Sequence, residues 1–324
     1  MVPRPLVVTV GDPAGIGPEV ALVAIARLLL RQSHPISLVT DRALLEKTLD
    51  LVGRHHPDGS ILVETVHRSM GGCLTLCEPG APAVLIDGEW SPAQVPFIGE
   101  SLALGLAEAE NGAALVTGPV DKRFFLAKGL SCSGHTEFIA QRYPGHQPLM
   151  LFDGGTFRIG VMTRHIPLSQ VSAAVSFAEL AAAVRTASAY VLAQDVGERP
   201  IAVAALDPHC GEWGGFSAVD LRVRGWVEEL ADQGLPVTGP YAADTLFVPH
   251  RLDQYGAILC WYHDQGMIPI KLLRFDSAVN VTLGLPILRV SPAHGVAFDI
   301  AWQGRGDAGS FHAALCVGAG LPVA

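Results

Sequence analysis

Three histidines stand just past three strand-like runs. Arg158 to Met162 leads to Thr163-Arg164-His165, Ile201 to Leu206 to Asp207-Pro208-His209, and Ala257 to Trp261 to Tyr262-His263-Asp264. In an open α/β sheet, ligands bind beyond the carboxyl ends of the strands. Three neutral imidazoles delivered there suit a divalent ion and leave coordination positions for a substrate. The competing reading is that each histidine only caps its strand or bonds a carbonyl. Lys271 is the next feature. It is one of four lysines in the chain, set in the apolar segment Gly266-Met267-Ile268-Pro269-Ile270. With Asn280 and Arg289 downstream it offers donors to a phosphate or carboxylate. In isolation it reads equally as a lysine snorkelling at a domain edge.

Other segments carry weaker signals. Gly11-Asp12-Pro13-Ala14-Gly15-Ile16-Gly17-Pro18-Glu19 joins a strand to a helix. It can turn backbone N–H groups toward an anion, or it is a tight turn and nothing more. It is neither a GxGxxG fingerprint nor a P-loop. Ser133-Gly134-His135-Thr136-Glu137 follows a buried strand and its Gly118-Pro119 stop. His294-Gly295 permits close approach of backbone to a ligand, and Asp299 is placed to accept from ribose hydroxyls. On its own that segment reads as an ordinary loop.

The elements that position these residues alternate between strand and helix. Strands are expected at Leu6–Val10, Ile36–Thr40, Ala113–Thr117, Leu149–Phe152, Arg158–Met162, Ile201–Ala205, Ala257–Trp261 and Ile287–Val290. Helices are expected from Pro18 to about Leu30 and at Asp41–Leu51, Phe97–Glu110, Ala178–Gln194 and Leu221–Gln233. Between His55 and Pro96 the pattern weakens, with short strand-like pieces at Ile61–Val66 and Ala83–Ile86. The alternation argues for an α/β protein with a largely parallel sheet. With 324 residues, the chain is expected to form two domains or one large α/β unit. No linker separates two halves, so the chain is expected to cross between domains more than once.

Composition bounds the function. The net charge of −9 disfavours a nucleic-acid binder, which wants a basic face. Mean hydropathy is +0.35, yet the apolar runs Ala21–Leu30 and Ala178–Leu192 fall short of the ~20 residues a bilayer needs. No membrane span and no signal peptide are expected. The six cysteines show no CxxC pair, which fits a reduced, cytoplasmic setting.

Taken in order, these motifs are similar to those of a known family. GDPAGIGPE (11–19), TGPVDK (117–122), SGHTEF (133–138), DPHCGEWGG (207–215), GPYAADTLF (239–247), YHDQGMIPIK (262–271), NVTLGLPILR (280–289) and HGVAFDIA (294–301) resemble the 4-hydroxythreonine-4-phosphate dehydrogenase family of pyridoxal phosphate biosynthesis. The resemblance runs from about residue 6 to about 318. It implies the isocitrate/isopropylmalate dehydrogenase-like fold, with two α/β/α domains and a cleft between them. The expected domains are 1–125 with 275–324, and 126–274, the latter carrying the metal histidines and dimer contacts. It also implies a homodimer with the active site at the interface.

By the same resemblance, His165, His209 and His263 match the ligands of a divalent metal, zinc first, with magnesium or cobalt as alternatives. His135, Thr136, Lys271, Asn280 and Arg289 match substrate positions. His294, Gly295 and Asp299 lie in the presumed loop for NAD or NADP. Lys271, Asp244 and Asp264 are the candidate catalytic groups, the two aspartates as orienting or proton-transfer residues. The implied substrate is 4-phosphooxy-L-threonine. The alternatives are the same chemistry on a threonate or erythronate 4-phosphate, and a non-catalytic α/β ligand-binding protein. Three positions depart from the family pattern: Asp207 where Asn is frequent, Val296 where Thr is common, and Trp302 where related sequences carry Gly.

Overall fold

A computed structural model describes residues 4–84, 86–130, 134–194, 197, 199–215 and 217–322. Leu85, in one expected strand, Ser133 of the 133–138 motif, and Cys132 lie outside the described residues. The chain divides into two compact units, Met1–Pro144 with Leu285–Ala324, and Gly145–Gly284.

The chain begins with β1 (Leu6–Thr9), α1 (Gly17–Arg31), β2 (Ile36–Val39), α2 (Arg42–His55), α3 (Gly59–Ser69) and β3 (Leu74–Cys77). It continues with α4 (Val95–Glu110), β4 (Ala114–Thr117), α5 (Lys122–Ala127) and α6 (His135–Ala140). The second unit contains β5 (Leu149–Asp153), β6 (Arg158–Val161), α7 (Leu168–Ala174), α8 (Phe177–Ala193), β7 (Ile201–Ala204) and α9 (Val219–Asp232). There follow β8 (Val237–Tyr241), α10 (Ala243–Leu246), α11 (Pro249–Leu252), β9 (Ala257–Cys260), α12 (His263–Arg274) and β10 (Val279–Leu283). The chain then returns to the first unit as β11 (Arg289–Pro292) and α13 (Gly309–Ala319).

In the first unit the strands run β3-β2-β1-β4-β11 and every pairing is parallel. Leu6 to Thr9 and Ala114 to Thr117 are buried throughout, the run expected of a strand covered on both faces. In the second unit the order is β10-β5-β6-β9-β7-β8. There β10 pairs with β5 and β5 with β6, both antiparallel, and β6, β9, β7 and β8 are parallel. No single helix among the described residues is long and apolar enough to cross a membrane.

Three expectations need correction. The crossings fall at 144 and 284 rather than near 125 and 274. Ile139 packs with Val7, Leu106 and Leu115, and Phe138 meets the rings of Phe124 and Phe125, so α6 belongs to the first unit. Residues 279–283 pair with β5 and stay in the second. Ile61–Val66 is not a strand but the middle of α3. Its buried Leu62, Thr65 and Val66 follow helical spacing, and the Thr65 hydroxyl donates back to the Ile61 carbonyl. The last strand starts at Arg289 rather than Ile287.

Two glycines test this packing. A Cβ on Gly118 would lie 2.2 Å from the Val10 carbonyl oxygen, where β1 and β4 end side by side. Gly225, exposed in the middle of α9, would meet nothing within 4 Å. Gly118→Ala is expected to lower stability by at least about 2 kcal/mol. Gly225→Ala is expected to raise it by roughly 0.5–1 kcal/mol. Denaturant melts of the two variants check both signs.

Candidate active site

In the second unit, His165, His209 and His263 follow β6, β7 and β9. These strands are neighbours in the order β6-β9-β7 and run parallel, so all three histidines leave the same edge of the sheet. The His165 and His263 rings have centroids 6.0 Å apart and are tilted by 35°. The Nδ1 of His263 lies 2.7 Å from Asp264 Oδ1. A carboxylate there fixes Nδ1 as the protonated nitrogen and leaves Nε2 as the ligating one. His209 sits in a short 3-10 segment, Pro208–Gly214, where its backbone φ is 51° and that of Cys210 is 57°.

Three residues outside the predicted set shape this edge. Asp220, buried at the start of α9, accepts from the backbone N–H of Leu206 at 2.8 Å and of Asp207 at 2.9 Å. It therefore holds the chain immediately before His209. Gln265 accepts from the Trp261 backbone N–H at 2.8 Å and donates to the Ala205 carbonyl at 2.7 Å. The Trp261 indole donates to the Ala204 carbonyl at 2.7 Å. Gln265 was visible in the YHDQG motif, but nothing in its type announced that it ties β9 to β7.

Asp244 lies in α10, and its charge, with that of Asp220, adds to burial in pushing the Cys210 thiol up. Lys271 is half-buried on α12, with its ammonium 4.9 Å from the Phe275 ring centroid. Burial holds its pKa below the ordinary lysine value. The Asn280 side-chain oxygen on β10 is buried without a hydrogen-bond partner. Among the described residues no three His, Cys, Asp or Glu side chains converge closely enough to hold a metal. Imidazole donors suit a divalent ion, and the His165 and His263 rings lie near one another on this edge.

In the first unit, Arg289 opens β11 and is 3% exposed. Its Nε and Nη2 both donate to the Thr117 hydroxyl, at 3.1 and 2.7 Å. Burial pushes its pKa down to about 10, against the opposing charge of Glu137. His135 begins α6 with its ring edge-on to Phe125, centroids 5.4 Å apart. Burial first and the Arg289 charge second hold its pKa well below the ordinary value, so the imidazole is neutral. Its Nε2 is buried with no partner, and Thr136 beside it is 4% exposed. A buried guanidinium and an unsatisfied imidazole nitrogen are what an anion would satisfy.

The glycine-rich loop 11–19 is the tight turn of the two readings. Asp12 N–H donates to the Pro119 carbonyl, Gly15 N–H to the Asp12 carbonyl and Ile16 N–H to the Val296 carbonyl. The Ala14 N–H is taken by Asp12 Oδ1 at 3.1 Å. These amides have no room for an anion, and the buried carboxyl of Asp12 would repel one. The presumed cofactor segment also lies in this unit. His294 Nδ1 is 3.0 Å from the Gly295 carbonyl oxygen, and the Asp299 carbonyl accepts from Gln303.

Comparison with known proteins shows the family. The family model described as pyridoxal phosphate biosynthetic protein PdxA matches residues 32–317. The chain belongs to that family. It is 37% identical to the 4-hydroxythreonine-4-phosphate dehydrogenase of Thioalkalivibrio sulfidiphilus, over 94% of this chain and 93% of that protein. It is also 37% identical to the enzyme of that name from Methylococcus capsulatus, over 98% and 96%. A crystal structure of 4-hydroxythreonine-4-phosphate dehydrogenase from Klebsiella pneumoniae matches with a TM-score of 0.81 and 29% identity, covering 99% of both chains. The family and the α/β fold expected from the sequence are both borne out.

Asp12 gives a pH-dependent handle on this unit. Burial, reinforced by the nearby charge of Asp121, raises its pKa from 3.8 to about 6. Between those values the folded chain keeps a proton that the unfolded chain has released. Stability from this group is therefore present below about pH 4 and falls as pH rises through 6. Asp12→Asn keeps the acceptor for Ala14 and removes the charge. It is expected to raise stability by roughly 2 kcal/mol at about pH 8 and by little at pH 4, read from melts at the two pH values.

Proposed function

We propose that this chain is a 4-hydroxythreonine-4-phosphate dehydrogenase. It oxidises 4-phosphooxy-L-threonine with NAD or NADP to 2-amino-3-oxo-4-phosphooxybutanoate, which loses CO₂ to give 3-amino-2-oxopropyl phosphate for pyridoxal phosphate synthesis. The observation that carries the reading is the family match, with three histidines leaving one sheet edge and a buried cation with a neutral histidine in the first unit.

The phosphate contacts are assigned to His135, Thr136, Lys271, Asn280 and Arg289. Arg289 supplies fixed positive charge, because a guanidinium keeps its proton even when burial lowers its pKa to about 10. Neutral His135 donates from one ring nitrogen, and Thr136 adds a hydroxyl. Lys271 is a point charge whose half-burial limits screening by water. His165, His209 and His263 would hold a divalent ion, zinc by preference for an imidazole set. Such an ion, when bound, lowers the pKa of a substrate hydroxyl and stabilises negative charge on oxygen as CO₂ leaves. His294, Gly295 and Asp299 would hold the nicotinamide dinucleotide, which would supply the hydride acceptor. Asp264 orients His263 through Nδ1, and Asp244 stands beside the His209 segment as a candidate for proton transfer.

A homodimer completes the reading. Helix α12 carries His263 and Lys271, and it presents Ile268 and Leu272, with Phe275 just past its end, at 66%, 81% and 66% exposure. Spaced at i, i+4 and i+7, they form one apolar stripe beside the proposed metal site. A second copy covering that stripe would supply the closure that the His165–His263 pair lacks in one chain.

The test is NAD(P)H formation, with zinc supplied, on 4-phosphooxy-L-threonine against threonate and erythronate 4-phosphates. Turnover is expected with the first and at least about 100-fold less with the others. His209→Ala is expected to lose both bound zinc and more than about 100-fold in kcat. Normal zinc content and turnover in that variant would sink the triad, and preference for a threonate phosphate would replace the substrate.

A further inference from the structure

At the carboxyl edge of the first unit, two buried polar atoms of opposite kind have no partner. One is the acceptor Asp12 Oδ2 and the other the donor Trp90 Nε1. An unsatisfied buried group costs enough that a native structure needs a reason for it. Their position supplies one. From β1 the chain winds outward through β2 to β3, then returns to place β4 on the other side of β1. This reversal of strand order is where open α/β sheets take their ligands. Asp12 follows β1, and Asp121 and Arg123 follow β4.

The side chains gathered there have a definite chemistry. The Arg123 guanidinium is forked onto Asp121, with Nε to Oδ1 at 2.7 Å and Nη2 to Oδ2 at 3.1 Å. It lies over the Trp90 ring at 5.0 Å and over the Phe298 ring at 5.7 Å. Phe298 belongs to the segment already assigned to the dinucleotide. Gly88, two residues before Trp90, donates its N–H to the Ala14 carbonyl. A Cβ on Gly88 would touch the Phe298 carbonyl oxygen at 3.0 Å. Three loops therefore close on one another here. A flat cation over two aromatic faces, beside two carboxylates, is stable in this place. Arg123 itself is half-exposed, with 52% of its side chain open to solvent, and can swing away.

We propose that this edge receives the nicotinamide end of the dinucleotide, with Asp12 and Trp90 reading its carboxamide. An oxidised nicotinamide ring is flat and positively charged, like the guanidinium it would displace. Its carboxamide carries a donor and an acceptor side by side. The amide N–H₂ donates to Asp12 Oδ2, and the amide carbonyl accepts from Trp90 Nε1. The two orphaned atoms are then satisfied by one group. This inference rests on the reading of the chain as a nicotinamide-dependent dehydrogenase. Asp12 and Trp90 lie outside every residue set assigned above.

The test is calorimetric titration of the full-length protein with three probes: NAD⁺, ADP-ribose, which lacks the ring, and 3-acetylpyridine adenine dinucleotide, which keeps the carbonyl and lacks the amide N–H₂. The 2′-phosphorylated forms are used if the wild type selects NADP⁺. Asp12→Asn keeps the Ala14 contact, and Trp90→Phe keeps the ring. Each is expected to weaken NAD⁺ about tenfold, the worth of one buried hydrogen bond, and to leave ADP-ribose unchanged. The acetylpyridine probe is expected to be weakened by Trp90→Phe and not by Asp12→Asn. Unchanged NAD⁺ affinity in both variants, or equal losses for NAD⁺ and ADP-ribose, overturns the inference alone. A wild type that binds no dinucleotide overturns the dehydrogenase reading and this inference with it.

Discussion

The second unit depends on one side-chain amide. Gln265 spans from the Trp261 backbone on β9 to the Ala205 carbonyl beyond β7, and both bonds are short and buried. The parallel ladder aligns β6, β9 and β7, but a ladder ends where its strands end. Past that point the backbone of each loop needs partners of its own. Gln265 and the Trp261 indole supply them between β9 and β7, and Asp220 supplies them in front of His209. His165 and His209 are exposed and His263 is partly buried, and His209 alone has a positive φ, yet the residues just before them are fixed. The proposed metal site would have this requirement: rigid roots and open tips.

The first unit solves a different problem, that of holding charge out of water. Arg289 and Asp12 are both almost fully buried; Arg289 donates to the Thr117 hydroxyl, and Asp12 accepts from the Ala14 backbone amide. Burying such groups lowers the pKa of the cation and raises that of the acid, as the two values of about 10 and about 6 show. Opposite signs are kept at different strand ends, Asp12 after β1 and Arg289 at the start of β11. One suits the phosphate of a substrate and the other a hydrogen-bond donor. The net charge of −9 reveals neither.

Much of this was legible in the sequence. The strand ends carrying histidines could be read from apolar β-branched runs stopped by polar residues, and the motifs in order were specific to one family. What escaped was set by tertiary contact. Ile61–Val66 has strand-like composition but lies in a helix, because its buried positions match helical spacing against α1 and α2. The domain crossings were misplaced because nothing local distinguishes α6 as part of the first core. Gln265, Asp220 and the Trp261 indole escaped for a simpler reason. A side chain that bonds backbone far away in sequence leaves no spacing to recognise.

The three departures from the family pattern have physical readings. Val296 meets the glycine-rich loop through its backbone carbonyl, which accepts from Ile16, so a change of side chain leaves that bond intact. Trp302 holds φ at 61°, a region that glycine enters freely and other residues enter at a cost of about 1 kcal/mol. Its indole donates to the Pro13 carbonyl at 3.2 Å, and Lys47 lies 4.1 Å over the ring. Those two contacts offset the strain and lock the segment to the loop that carries Asp12. Asp207 is the departure with consequence. In place of a neutral amide it sets a second carboxylate against Asp220, whose pKa burial has already raised and the Asp207 charge raises further. Arg224 and the backbone N–H groups of Leu206 and Asp207 act against that repulsion, so the substitution is accommodated within the segment that precedes His209.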